Sequence, residues 1–335
     1  MIYDIHVHAA DTGDPATAEF LSNRVKGLLG GFFLRKSLPR GVPIGPGAWK
    51  RIEEKIVSDL ESSETDAAVF LALDAYRGDI VGTAPKSGAG IFSVSNAYVE
   101  GLAASSGKIL AGGSVHPYRS DALERLERLV RGGCVLVKWI PSAQGIDMED
   151  PRCRPFYEAL ADYGLPLLVH TGNEHFFPGS GNALNHPSKL VPALRAGVKV
   201  VAAHCGARMF LHEKCFFGIW SRMAKEWENL FGDTASFVLP TRIRYLRKLL
   251  EDDILRGKAI FGSDSPGPPA IASCVFQLGR RETSRLRKIG NLFDASLETY
   301  RALGFDDEWF SNAEKVLMLE KRGTGPSPAT SAIGK

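Results

Sequence analysis

The order of apolar and polar positions along the chain switches repeatedly between two periods. Short, nearly continuous apolar runs predict strands: "IYDIHVH" at 2–8, "DAAVFLALDA" at 66–75, "ILAGGSVHP" at 109–117, "CVLVKWIP" at 134–141, "LPLLVHTG" at 165–172 and "KVVAAHCG" at 199–206. A weaker seventh, "DTASFVLP", covers 233–240, and "KAIFGSDSP" at 258–266 is the eighth. Between them apolar residues recur at spacings of three and four. That period predicts helices over 48–63, 97–107, 121–133, 153–164, 188–197, 213–231 and 241–257, with a last helical region over 271–303.

Strands that are apolar throughout, rather than alternating, belong to parallel sheets buried on both faces. Eight of them in strict alternation with helices predict a TIM (β/α)8 barrel, an α/β fold. The rival is a doubly wound open sheet, but no GxGxxG follows the first strand and no GxxxxGK[ST] occurs. Residues 1–321 are expected to form this single barrel, and the small, polar stretch 322–335 a disordered tail. Long segments at 22–47 and 76–95 interrupt the rhythm after strands one and two, on the side where barrel enzymes place their sites. The apolar "GLLGGFFL" in the first suggests a lid, a subunit contact or a loop packed on its own barrel.

Composition narrows the classes. A formal charge of +3 over 335 residues, with both signs interspersed, excludes a basic stripe for nucleic acid. No apolar run is long enough to span a membrane, and the N-terminus lacks the pattern of a signal peptide. Five cysteines without CxxC spacing point to reduced thiols and a cytoplasmic protein.

The chemistry lies at the strand ends. His6 and His8 are expected to share one face of the first strand with Asp4 one step deeper, leaving Ile5 and Val7 for the layer under the helices. Lys138 ends strand four, His170 strand five, His204 strand six and Asp264 strand eight. Singly each has a bland reading: a satisfied core histidine, a helix cap, a surface lysine. Together, six such groups at one barrel mouth need pairing or a metal ion. Cys205, beside His204, is expected to turn towards the helices. Glu174, His175, Arg208 and His116 are weaker candidates for substrate contacts, and a loop or surface role competes for Arg208.

The set resembles the amidohydrolase superfamily: HxH on strand one, Lys on four, His on five, His on six and Asp on eight. "DIHVH", "GLPLLVHTG" and "GSDSP" are most similar to its amidohydrolase-2 branch, which also contains aminocarboxymuconate-semialdehyde decarboxylase. "NAEKVLML" at 312–319 resembles that branch's closing helix. The resemblance implies that His6, His8, His170 and Asp264 bind a divalent metal, most readily zinc. His204 would hold a second ion or contact substrate, and Lys138 would bridge two ions if carboxylated or otherwise grip a carboxylate. Asp264 and His204 would be catalytic. Hydrolysis of an amide, lactone or ester is the main expectation. Non-oxidative decarboxylation of an aromatic or unsaturated acid is the alternative, and a non-catalytic ligand-binding barrel the third. The implied partners are a small-molecule substrate and a second copy of the chain.

Overall fold

The structure, a computed structural model, describes residues 1–10, 47–74, 76, 92–176, 181–267 and 269–319. Most of the two long segments, with "GLLGGFFL", and the expected disordered tail lie outside these residues.

Eight parallel strands follow in sequence order: β1 (Tyr3–His8), β2 (Ala67–Leu71), β3 (Ile109–Gly113), β4 (Leu136–Trp139), β5 (Leu167–His170), β6 (Val200–Ala203), β7 (Leu230–Asp233) and β8 (Ala259–Ile260). The ring is joined where β1 meets the chain leaving β8. Ile5 N–H donates to Phe261 O at 3.2 Å, Asp264 N–H to His6 O at 3.0 Å and His8 N–H to Ser265 O at 2.8 Å. The fold is the expected TIM barrel. Helices α1 (Ala48–Ser62), α2 (Asn96–Ser105), α3 (Ala122–Arg131), α4 (Arg154–Tyr163), α5 (Val191–Arg195), α6 (Phe217–Glu226), α7 (Ile243–Leu250), α8 (Val275–Leu286) and α9 (Leu292–Ala302) follow between and after the strands.

The barrel interior is a layered apolar core of Ile5, Val69, Leu136, Leu168, Val201, Phe231 and Ile260. Ala313, Val316 and Leu317 join that core, from the segment expected to close the chain. Asn312 fixes this segment by donating to the carbonyls of Arg256 and Ala259, both at 3.0 Å. Chemistry is thereby confined to the opposite, C-terminal mouth.

Four expectations need correction. First, strand seven is Leu230–Asp233, not 233–240. The helix before it is Phe217–Glu226, shorter than the expected 213–231. "NLF" continued the apolar period of α6 and was absorbed into it, although the helix ends at Trp227, whose backbone is extended. The "TASFVLP" stretch is buried turn, with Ser236 in the left-handed region. Second, Ile5 points into the barrel, not at the helices. β1 carries one more residue than β2 between Asp4 and Val7, and such a bulge shifts the alternation. Tyr3 and Ile5 therefore join the interior and Val7 packs under α1. Third, Asp4 is not on the site face. Its Oδ1 accepts the N–H groups of His6 and Ser263, both at 3.0 Å, and so holds the bulge. Fourth, 241–257 and 271–303 each contain more than one element. α7 stops at Leu250 before a short helix Asp253–Lys258, and α8 and α9 are separate.

Candidate metal centre

Alternation along β4 and β5 sends Leu136 and Lys138, and Leu168 and His170, inward, while Val137, Trp139 and Val169 face the helices. On β6 the same rule would turn His204 outward, because Val201 and Ala203 are the inward residues. The backbone reverses it. His204 (φ 60°) and Cys205 (φ 47°) adopt left-handed conformations, and so does Asp264 (φ 67°). Non-glycine residues there cost about 1–2 kcal/mol each, so the strain is held in place by surrounding structure and concentrates at functional sites. It brings His204 to the mouth and leaves Cys205 in the outer core, as expected.

The side chains converge. His6 Nε2 lies 3.2 Å from His8 Nε2 and 3.6 Å from Asp264 Oδ1, and His8 Nε2 lies 3.3 Å from the same oxygen. Ligand atoms of His6, His204 and Asp264 all fall within 4.8 Å of one another. The His170 and His204 rings stand 4.9 Å apart, and Lys138 Nζ is 3.2 Å from His6 Nε2.

Sequence reasoning missed Asp233, which braces this cluster. Its Oδ2 accepts from His6 Nδ1 at 2.7 Å, and its Oδ1 accepts the N–H of His204 at 2.7 Å and of Ala235 at 3.1 Å. It was hidden by the misplaced strand: read as the first residue of 233–240, it is a boundary residue, whereas it is the inward-facing end of β7. Burial works against the Asp233 charge, but the His6, His204 and Lys138 side chains outweigh it and hold the carboxyl well below its ordinary range. Ser236, also missed, donates to Asp264 Oδ2.

The electrostatics favour ligand forms. Burial lowers the pKa of His6, and Lys138 lowers it further against the pull of Asp233. His170 is pushed down to about 3, by burial first and then by the Lys138 and Arg242 charges. His204 is also pushed well down, chiefly by burial. These imidazoles are neutral at pH 7, the form that binds metals. Hydrogen bonds assign the tautomers: Asp233 fixes the proton of His6 on Nδ1, and Ala235 O, 3.0 Å away, fixes that of His204 on Nδ1. Both Nε2 lone pairs then face the centre. His170 Nε2 is buried with no hydrogen-bond partner. Burial lifts Asp264, but the His8 hydrogen bond and the His204 and His6 charges prevail and keep it ionised. Lys138, 1% exposed, is lowered to about 8 by burial, against the attraction of Asp233, Asp264 and Glu174.

The weaker candidates separate. Glu174 lies at the centre's edge, its Oε2 3.5 Å from His170 Nδ1. His175 sits farther out, paired with Glu213. His116 is not available to substrate: Nε2 donates to Gln144 O at 3.0 Å and Nδ1 accepts the Tyr118 N–H at 3.2 Å. Arg208 Nη1 donates to the carbonyl of Leu211 at 3.0 Å, a loop contact. The competing bland reading of Arg208 fits this better than a substrate role.

Comparison with known proteins agrees with this geometry. The amidohydrolase family model matches residues 3–280. The chain belongs to the amidohydrolase family. Members of this family are enzymes acting on small molecules. No curated protein matches the chain. Among solved structures, an uncharacterised TIM-barrel protein from Bordetella bronchiseptica superposes with a TM-score of 0.60 at 18% identity, covering 93% of this chain and 99% of that one. A probable 2-pyrone-4,6-dicarboxylic acid hydrolase from Acinetobacter baumannii gives 0.55 at 13%, covering 94% and 98%. A 5-carboxyvanillate decarboxylase from Novosphingobium aromaticivorans, solved with manganese bound, gives 0.51 at 12%, covering 92% and 96%. At these identities the likeness establishes the barrel. An amidohydrolase is thus recognised by sequence family and fold, and its reaction has to be argued from the centre. No helix among the described residues is long and apolar enough to cross a membrane.

Proposed function

We propose that this amidohydrolase is a metal-dependent hydrolase that cleaves an amide, lactone or ester bond of a small molecule. The spacing of His6 Nε2, His8 Nε2 and Asp264 Oδ1, at 3.2, 3.3 and 3.6 Å, carries the reading. Donor atoms around one tetrahedral ion at about 2.1 Å stand roughly 3.4 Å from each other. The unpartnered Nε2 of His170 supports the same fit, since a buried ring nitrogen without a partner is costly and an ion would satisfy it. Imidazole and carboxylate donors suit zinc, and also manganese or iron. The bound cation supplies Lewis acidity and brings the pKa of a water to about 7.

The chain's own residues do the rest. Asp264 turns Oδ1 to the histidines while Ser236 fixes Oδ2. The ionised carboxylate accepts a proton from the attacking water and returns it to the leaving group. His204, with its Nδ1 proton tied to Ala235 O, presents Nε2 to the substrate carbonyl or to a second ion. Lys138 needs only modest deprotonation to react with carbon dioxide, and the carbamate would bridge two ions. Glu174 and His175 face the substrate from the rim.

A second reading is decarboxylation. A buried Lys138 with a pKa of about 8 is largely cationic at pH 7 and would grip a substrate carboxylate. One experiment separates the readings. Metal-loaded protein is offered lactones, amides, esters and hydroxybenzoates in 18O-labelled water. Label in a new carboxylate supports hydrolysis, and release of carbon dioxide without label overturns it. Stoichiometric metal with neither outcome across the panel favours a ligand-binding barrel.

A further inference from the structure

The end of α7's approach carries a group that neither the metal centre nor the core requires. Arg242 is 4% exposed. Its Nε donates to Arg208 O at 3.2 Å and its Nη1 to Ala235 O at 3.4 Å, a long contact. Nη2 donates to nothing among the described residues and is not sealed in the core. No carboxylate lies within ion-pairing distance of it among those residues. The acids close enough to feel its charge are committed elsewhere. Asp264 holds His8 and Ser236; Asp233 holds His6 and two backbone N–H groups; Glu213 accepts from Met209 and Phe210 and pairs with His175. A guanidinium taken out of water without a carboxylate partner is strongly unfavourable. A packing role in this position would be met at lower cost by Leu or Met.

We infer that Arg242 is a specificity residue that binds a carboxylate of the substrate, set apart from the group that reacts at the metal centre. The inference rests on the proposed metal centre and adds the substrate class: a small acid whose carboxylate is a handle and not itself the bond that is cut. Geometry supports it twice. Ala235 O is shared by Arg242 Nη1 and His204 Nδ1, so the guanidinium is fixed relative to a residue of the centre. The side not engaged by Ala235 and Arg208 retains N–H donors in a plane, the arrangement that matches two carboxylate oxygens.

The test compares one carboxylate with two. Benzoate, isophthalate and terephthalate are titrated calorimetrically into the metal-loaded protein and into Arg242→Met. A single carboxylate has only the metal centre to bind. The better dicarboxylate should bind the natural protein at least tenfold more tightly than benzoate, and Arg242→Met should abolish that advantage with benzoate affinity and metal content unchanged. No advantage in the natural protein, or the same advantage in Arg242→Met, overturns the subsite. Should Arg242→Met fail to fold, Arg242→Lys decides: a grip that depends on the planar fork loses at least threefold of the advantage, and full retention overturns it. The two claims fail separately. An Arg242-dependent advantage with no labelled-water incorporation leaves the subsite standing and removes the hydrolase reading; incorporation without the advantage does the reverse.

Discussion

Asp233 Oδ2 lies 2.7 Å from His6 Nδ1, joining the last residue of β7 to the first histidine of β1 across the barrel mouth. The other oxygen of the same carboxylate takes the backbone N–H of His204. One side chain therefore sets the ring orientation of one candidate ligand and the backbone position of another. Carboxylates behind metal-bound histidines typically contribute 10–100-fold in metal affinity.

Asp233→Asn keeps an oxygen for the His204 N–H but loses the charge that orients His6. It should lower metal affinity roughly 10–100-fold while the protein stays folded. Competition with a chelator of known affinity, alongside circular dichroism, measures this. Unchanged metal affinity would place the ion away from His6.

His6→Ala should remove bound metal and all turnover, at least a thousandfold in kcat/KM, while the barrel remains folded. The core around His6 is built by neighbours such as Ile5 and Ile260, not by the imidazole. Metal content by elemental analysis and a thermal melt decide between a ligand and a satisfied core histidine. Unfolding at ordinary temperature would identify the latter.

Stability should depend on pH through His116, far from the centre. Burial lowers its pKa, against the Gln144 and Asp74 interactions that raise it. Protonating Nδ1 would also break the hydrogen bond from the Tyr118 N–H. The unfolded chain takes up the proton near the ordinary value of 6.5 while the folded ring resists it. Stability is therefore present above that pH and lost as pH falls towards the lowered folded value, at up to about 1.4 kcal/mol per pH unit for one group. Urea denaturation between pH 7.5 and 5 should show this loss, and His116→Asn should lessen its slope. An unchanged slope would remove His116 as a contributor.

Gly232 precedes Asp233 and faces the helix layer. A Cβ there would stand 2.6 Å from Cys205 Sγ and 2.7 Å from the Trp220 ring. Both neighbours are fully buried, so Gly232→Ala must move strand or helix. It should cost about 1–3 kcal/mol and, by displacing Asp233, weaken metal binding as well. Denaturation and chelator competition on the same variant test both parts. A loss of stability with undisturbed metal affinity would show that Asp233 tolerates the shift.

Repeating apolar runs between helical stretches sufficed to specify the barrel, because a strand covered on both faces must be apolar throughout. His6, His8, Lys138, His170, His204 and Asp264 were also legible, since polar groups ending such strands have nowhere to lie but the mouth. The sequence could not reveal the bulge at Asp4–Val7 or the left-handed turns at His204 and Asp264, because alternation assumes an unbroken strand. Asp233, Ser236 and Arg242 come from a stretch whose local apolar pattern fits a strand, and only packing against α6 and β8 makes it a buried turn. Their partners lie 22 to 227 residues away, at Asp264, Ala235, Arg208 and His6, except for the near contact of Arg242 with Ala235. Local periodicity encodes which face a residue prefers. Which groups then meet is decided by ring closure, which brings the first strand against the last.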